Sequence, residues 1–133
     1  MPCASRKEAG MKVMLIDHEK SVRDQDREVL RKLGYNDVVE SADVQDALSK
    51  AFSANPDVIV IEHDMPGMTG IDFARIYRER NGLAPILIMD ARPDRNKVVA
   101  AGKAGVASYL LRPYTPDTFA QYILQALMKR KAA

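Results

Sequence analysis

Apolar residues fall into five short continuous runs, separated by stretches with helical spacing. Val13 to Ile16 is the first run and ends at Asp17-His18-Glu19. Asp37 to Glu40 predicts a shorter second strand. Val58-Ile59-Val60-Ile61 is unbroken and β-branched, as suits a strand buried on both faces of a parallel sheet. It stops at Glu62-His63-Asp64, where Met65-Pro66-Gly67 turns the chain toward a helix starting near Gly70. Pro85 introduces a fourth run, Ile86 to Met89, ended by Asp90. Ala107 to Leu111 is the fifth and ends at Arg112-Pro113.

Between the runs, apolar positions recur every three or four residues. Val22, Val29, Leu30 and Leu33 share one helical face with Gly34 as the stop, and Asp26 interrupts that face, which predicts a less tightly buried helix. Asp43 caps a second helix with Val44, Ala47, Leu48, Ala51 and Phe52 on its apolar side, closed by Asn55-Pro56. Ile71, Phe73, Ala74, Ile76 and Tyr77 mark the third, closed by Asn81-Gly82. A weaker fourth runs from about Asp94 through Val98, Val99 and Ala100, with Gly102 inside it and Gly105 as terminator. Thr115-Pro116 supplies an N-cap and a proline at the first position of the last helix, which turns Phe119, Ile123, Ala126 and Leu127 inward. Five strands alternating with five helices predict an α/β doubly wound sandwich. Right-handed crossovers favour the flavodoxin-like (βα)5 parallel sheet in the order 2-1-3-4-5.

At 133 residues the chain is long enough for one domain with a real core, here residues 11–131 behind a loose polar tail, residues 1–10. A net charge of +2 is too small to imply DNA or RNA, and Lys129-Arg130-Lys131 reads as a solvated helix end. The single Cys3 excludes an internal disulfide and fits a reducing, cytoplasmic setting. No apolar run approaches the roughly 20 residues that span a bilayer, so no membrane partner is expected.

Composition leaves the chemistry open; the strand ends narrow it. Asp17 with His18, Glu62, Asp90 and Arg112 terminate four parallel strands, so all lie at one edge of the sheet, where open α/β sheets place their sites. One cation facing several carboxylates predicts that Arg112 contacts Glu62, Asp90 or both. If Glu62 and Asp90 lie together, their titration is coupled and one pKa is raised. His18 and His63 read as loop histidines without a ligand. The alternative is a soft metal such as zinc or nickel on Asp17, His18 and Glu62, or a pH sensor.

From about Met11 to Lys129 the chain resembles the receiver domains of bacterial two-component response regulators, especially the stand-alone chemotaxis type. The resemblance rests on the Met65-Pro66-Gly67-Met68-Thr69-Gly70 turn, the Arg112-Pro113-Tyr114 end of strand five and the spacing between strands. It implies a phosphoacceptor Asp ending strand three, two acidic residues after strand one that help hold magnesium, a Thr or Ser ending strand four and a Lys ending strand five. Asp17 matches the first acid and His18 stands at the second. Glu62 occupies the phosphoacceptor position, and Asp64 matches the position whose backbone carbonyl binds the metal. Asp90 replaces the hydroxyl residue, Arg112 replaces the lysine, and Tyr109 matches the aromatic switch residue. The same resemblance predicts a cis Arg112–Pro113 peptide.

Each departure has a physical consequence. The extra methylene of Glu62 moves the attacking oxygen by about 1 Å, an error that can cost roughly a hundredfold in rate. Magnesium prefers hard oxygen ligands, so His18 weakens a site built on Asp17 and Asp64. Asp90 adds negative charge where a phosphate would sit and offers no hydroxyl for the usual switch hydrogen bond. Arg112 is a planar fork suited to clamping carboxylates.

The expectation is a degenerate receiver, or pseudo-receiver: not an enzyme, without a cofactor, acting independently of phosphorylation by binding a protein partner. The surface of helix four, strand five and helix five is the expected face for dimers and targets, with Tyr109, Arg92, Arg95 and Val99 central. The combined change His18→Asp, Glu62→Asp, Asp90→Thr and Arg112→Lys is expected to restore phosphorylation at least partly. The alternatives are a nucleotide (cyclic dinucleotide) effector gripping phosphates with Arg92, Arg95 and Lys97, or a receiver still competent for phosphorylation.

Overall fold

The computed structural model describes residues 10–132; all of the expected N-terminal tail except Gly10, and with it Cys3, lies outside them. The order of elements is β1 (Lys12–Ile16), α1 (Lys20–Lys32), β2 (Asp37–Ser41), α2 (Val44–Ala54), β3 (Val58–Glu62), α3 (Gly70–Glu79), β4 (Ile86–Asp90), α4 (Arg95–Lys103), β5 (Ser108–Leu111) and α5 (Pro116–Ala132). All five strands run parallel in one sheet, in the order β2-β1-β3-β4-β5. This is the flavodoxin-like doubly wound fold.

Alternation along the buried strands divides the core into two layers. Met14, Ile16, Ile59, Ile61, Ile86 and Ile88 pack with α2 and α3, together with Ala101 of α4. Val13, Leu15, Val58, Val60, Leu87 and Met89 face Leu30 of α1 and Phe119, Ile123, Ala126 and Leu127 of α5. The helix boundaries follow from local chemistry. The Asp43 carboxylate accepts from the Asp46 backbone N–H, Asp94 accepts from that of Lys97, and the Thr115 hydroxyl accepts from that of Thr118. Thr69 and Asp72 form a reciprocal capping box at the start of α3. Phe52 departs from the expected pattern: it is 44 % exposed at the border of the α2 stripe, where its ring lies 5.3 Å from that of Tyr77.

Two glycines shape the approach to the sheet edge. Gly67 takes φ +76 in the tight turn between Asp64–Met65 and Met68–Thr69, which pair antiparallel. At Gly70 a Cβ would lie 3.2 Å from the Glu62 carbonyl oxygen and 3.3 Å from His63 Cα, so α3 begins pressed against the end of β3.

Candidate functional site

Parallel register brings the four charged strand ends together. Ile16 pairs with Ile61, Glu62 with Met89 and Asp90 with Leu111. The Arg112 N–H donates to the Asp90 carbonyl, and the Arg112–Pro113 peptide is cis, as expected.

The side chains then divide into two groups. In the first, Arg112 Nε donates to Glu62 Oε2 at 3.0 Å and Nη2 donates to Asp26 Oδ2 at 2.7 Å, with Asp17 Oδ2 3.6 Å from Nη2. The Tyr114 hydroxyl donates to Asp26 Oδ1, and its ring lies beside the guanidinium, 5.5 Å from ring centroid to Cζ. Asp17 Oδ1 accepts from the Glu19 N–H at 2.9 Å. Arg112 therefore clamps carboxylates from β3, α1 and the end of β1.

In the second group, Asp90 is fully buried. Its Oδ2 accepts from the Tyr109 hydroxyl at 2.6 Å and from Lys97 Nζ at 3.2 Å, and its Oδ1 accepts from the Arg92 N–H at 3.0 Å. Of the expected contacts of Arg112, with Glu62, Asp90 or both, the first is made; among the described residues Asp90 forms no ion pair with Arg112. Pleat alternation separates them: Asp90 continues the face of Ile86 and Ile88, shared with Tyr109, whereas Glu62 continues that of Val58 and Val60, where Arg112 meets it. Asp90 offers no hydroxyl to the site, as expected; its carboxylate instead accepts from the Tyr109 hydroxyl, a contact the strand ends alone did not indicate.

Burial and pairing set the electrostatics. Burial pushes the Glu62 carboxyl up to about 7 against the opposing pull of Arg112, with smaller contributions from Asp17 and Asp90 in the same upward direction. Coupling to Asp90 is thus the lesser cause, and desolvation is the greater. Burial also raises Asp17 despite the Glu19 N–H and Arg112. For Asp90 burial opposes ionisation, but the hydrogen bonds from Tyr109, the Arg92 backbone and Lys97 together outweigh it and hold the carboxyl low. Burial pushes the Tyr109 and Tyr114 hydroxyls up, reinforced by the carboxylates to which they donate.

Other expected site residues are placed as follows. His18 is at the rim, 3.8 Å from Asp17 Oδ1 and 3.7 Å from Glu19 Oε1. His63 lies in the loop after β3 and is buried, its ring centroid 6.2 Å from that of Tyr109; among the described residues its Nδ1 has no hydrogen-bond partner. Asp64 is exposed on the short antiparallel ribbon. Arg92, Arg95 and Val99 are exposed at α4, whereas Lys97 turns back to Asp90 and to the Arg92 carbonyl.

Asp26 is the site residue that the sequence pattern misassigned. It is 2 % exposed and sits on the inward face of α1. Its position within an apolar stripe was the available signal, because a carboxylate there must find a cation or a donor.

The response regulator receiver domain model matches residues 13–124. The chemotaxis protein CheY of Pseudomonas aeruginosa is 35% identical over 115 residues, 85% of this chain and 93% of that protein. CheY-3 of Vibrio cholerae is 32% identical over 111 residues, 82% of this chain and 85% of that protein. The solved structure of Vibrio cholerae chemotaxis protein CheY4 aligns with a TM-score of 0.81 at 30% identity, covering 87% of this chain and 98% of that one. With this fold, this sheet edge and these relatives, the chain belongs to the response regulator receiver domains, the CheY-like domains of two-component signalling.

Proposed function

We propose that this receiver domain is a pseudo-receiver, a binding module that signals without being phosphorylated. One observation carries it: the groups that would respond to a phosphoryl group are already engaged from within. Arg112 is held by Asp26 and Glu62 with Asp17 beside it, and Asp90 already draws the Tyr109 hydroxyl inward. In-line transfer to residue 62 needs a free carboxylate and a cation facing the incoming oxygens. Here the carboxylate and the cation neutralise each other.

The donor set does not fit magnesium. Asp17 is the one hard acid kept from the expected pair, and it is buried 3.6 Å from a guanidinium that a divalent cation would have to face. Among the described residues no group of three His, Cys, Asp or Glu side chains is placed to hold a metal. We therefore propose that the module works without magnesium.

Its partner is a protein, met on the face of α4, β5 and α5, where Tyr109 is held in place and Arg92, Arg95, Val98, Val99 and Leu111 are exposed. A homodimer through the same face is compatible with this assignment. The net charge of +2 gives DNA no hold. No described helix is long and apolar enough to cross a membrane; a cytoplasmic setting is part of the proposal, in keeping with the lone Cys3.

Incubated with acetyl phosphate and magnesium, the wild type is expected to show no added phosphoryl mass, and Glu62→Asp alone none either. A phosphorylated wild type would overturn the proposal. The inward lock has its own test. Asp90→Ala removes the acceptor of the Tyr109 hydroxyl and is expected to cost about 1.5–3 kcal/mol, as for hydrogen bonds to charged groups. The Tyr109 hydroxyl proton should then exchange freely with water by NMR. Protection equal to that of the wild type would count against the lock.

A further inference from the structure

Asp26 is a buried carboxylate, one turn along α1 from Val22 and one turn before Leu30, and it occupies both oxygens with groups from beyond β5. Arg23, one turn back on α1, is engaged by the Asp17 carbonyl and Glu40, so among the described residues no α1 side chain pairs with the Asp26 charge to compensate it. Arg112 and Tyr114 supply that compensation across the sheet edge. The guanidinium is consequently divided: Nε faces Glu62 at 3.0 Å, while Nη2 turns to Asp26 at 2.7 Å.

We propose that Asp26 is the positioning residue that draws the cation of this site toward α1, so that residue 26, as well as the strand-end residues, decides whether the site can accept a phosphoryl group. This rests on the pseudo-receiver assignment and deepens it. A lysine at position 112 would not escape the same pull. Its ammonium is a compact charge on a flexible stem, and the buried carboxylate of Asp26 would remain the group most in need of it. Introducing His18→Asp, Glu62→Asp, Asp90→Thr and Arg112→Lys therefore repairs the strand ends but leaves the cation committed to α1. The partial recovery expected from those four changes alone is revised accordingly.

The test compares phosphoryl uptake from acetyl phosphate with magnesium by three proteins: the quadruple variant, the quadruple variant with Asp26→Asn and the quadruple variant with Asp26→Glu. In the measured step a carboxylate oxygen of residue 62 bonds to phosphorus. The bond from phosphorus to the acetyl oxygen breaks, and acetate leaves with the electron pair. Asparagine keeps the shape and an acceptor for Tyr114 but removes the charge, so uptake at least tenfold faster than in the quadruple variant is expected. Glutamate keeps the charge and is expected to leave uptake as slow as in the quadruple variant; a purely structural role for Asp26 would not rank the variants by charge. Equal rates in the Asn and quadruple proteins, or no uptake by the folded Asn protein, would overturn the proposal. Failure of the pseudo-receiver assignment is a separate result, read from label on the wild type. Should the multiple variants not fold, the structure of the single variant Arg112→Lys decides. An introduced ammonium within salt-bridge distance of Asp26 supports the proposal, and one directed only at Glu62 overturns it.

Discussion

Replacing Arg112 with methionine is expected to destabilise the fold by about 3–5 kcal/mol at pH 8, the usual cost of removing one partner from a buried ionic group. Methionine retains most of the side-chain volume, so the loss is chiefly electrostatic. Asp17 and Asp26 have side chains only 3% exposed and Glu62 only 13%, and all three would lose the same cation. Such a loss is a large share of the stability of an ordinary domain and should lower the thermal midpoint by about 10 °C or more. Glu62, raised to about 7, and Asp17, also raised, can escape by taking up protons, so the penalty should shrink at pH 5. Adding Asp26→Leu removes one of the stranded charges and should recover part of the loss, a non-additivity that a double-mutant cycle measures. Urea unfolding of the single and double variants at both pH values provides the check. A penalty below about 1 kcal/mol at pH 8, typical of surface pairs, would show that the clamp is solvated.

Stability should fall as pH rises from about 4.5 to 7. Glu62 is raised from an ordinary value of 4.5 to about 7, so within that interval the folded chain holds a proton that the unfolded chain has lost. More protons bound to the folded state means that stability decreases with pH. The contribution is complete below the unfolded value, is lost as pH passes the folded value and then levels off. A shift of that size corresponds to about 3 kcal/mol. Asp17, also raised by burial, adds in the same direction. Asp46, Asp72 and Asp90 are lowered, so their stabilisation is present above their unfolded values and disappears only in more acid solution. Together these predict a stability maximum near pH 5. Glu62→Gln should flatten the limb between pH 5 and 7 while leaving the acid limb in place. An unchanged slope in that variant would remove Glu62 as its source.

The strands and the helix ends were legible because their signals are local. Val58 to Ile61 is a buried strand wherever it is placed, and Asp43, Asp94 and Thr115 cap helices through backbone groups three residues away. The edge location of Asp17, Glu62, Asp90 and Arg112 followed as well, since parallel strands of similar length end together. Phe52 was not legible, because a residue at the border of an amphipathic stripe is covered or bare according to how the neighbouring helix sits. Partner choice within the site was equally hidden. Arg112 selects Asp26, 86 residues earlier, and Asp90 selects Tyr109 and Lys97. Sequence pattern determined which charges would gather at the sheet edge. Only the tertiary structure decided how they pair, because Coulomb attraction has no sequence period: the sheet face that each side chain takes and the seating of α1 and α4 set which carboxylate each cation reaches.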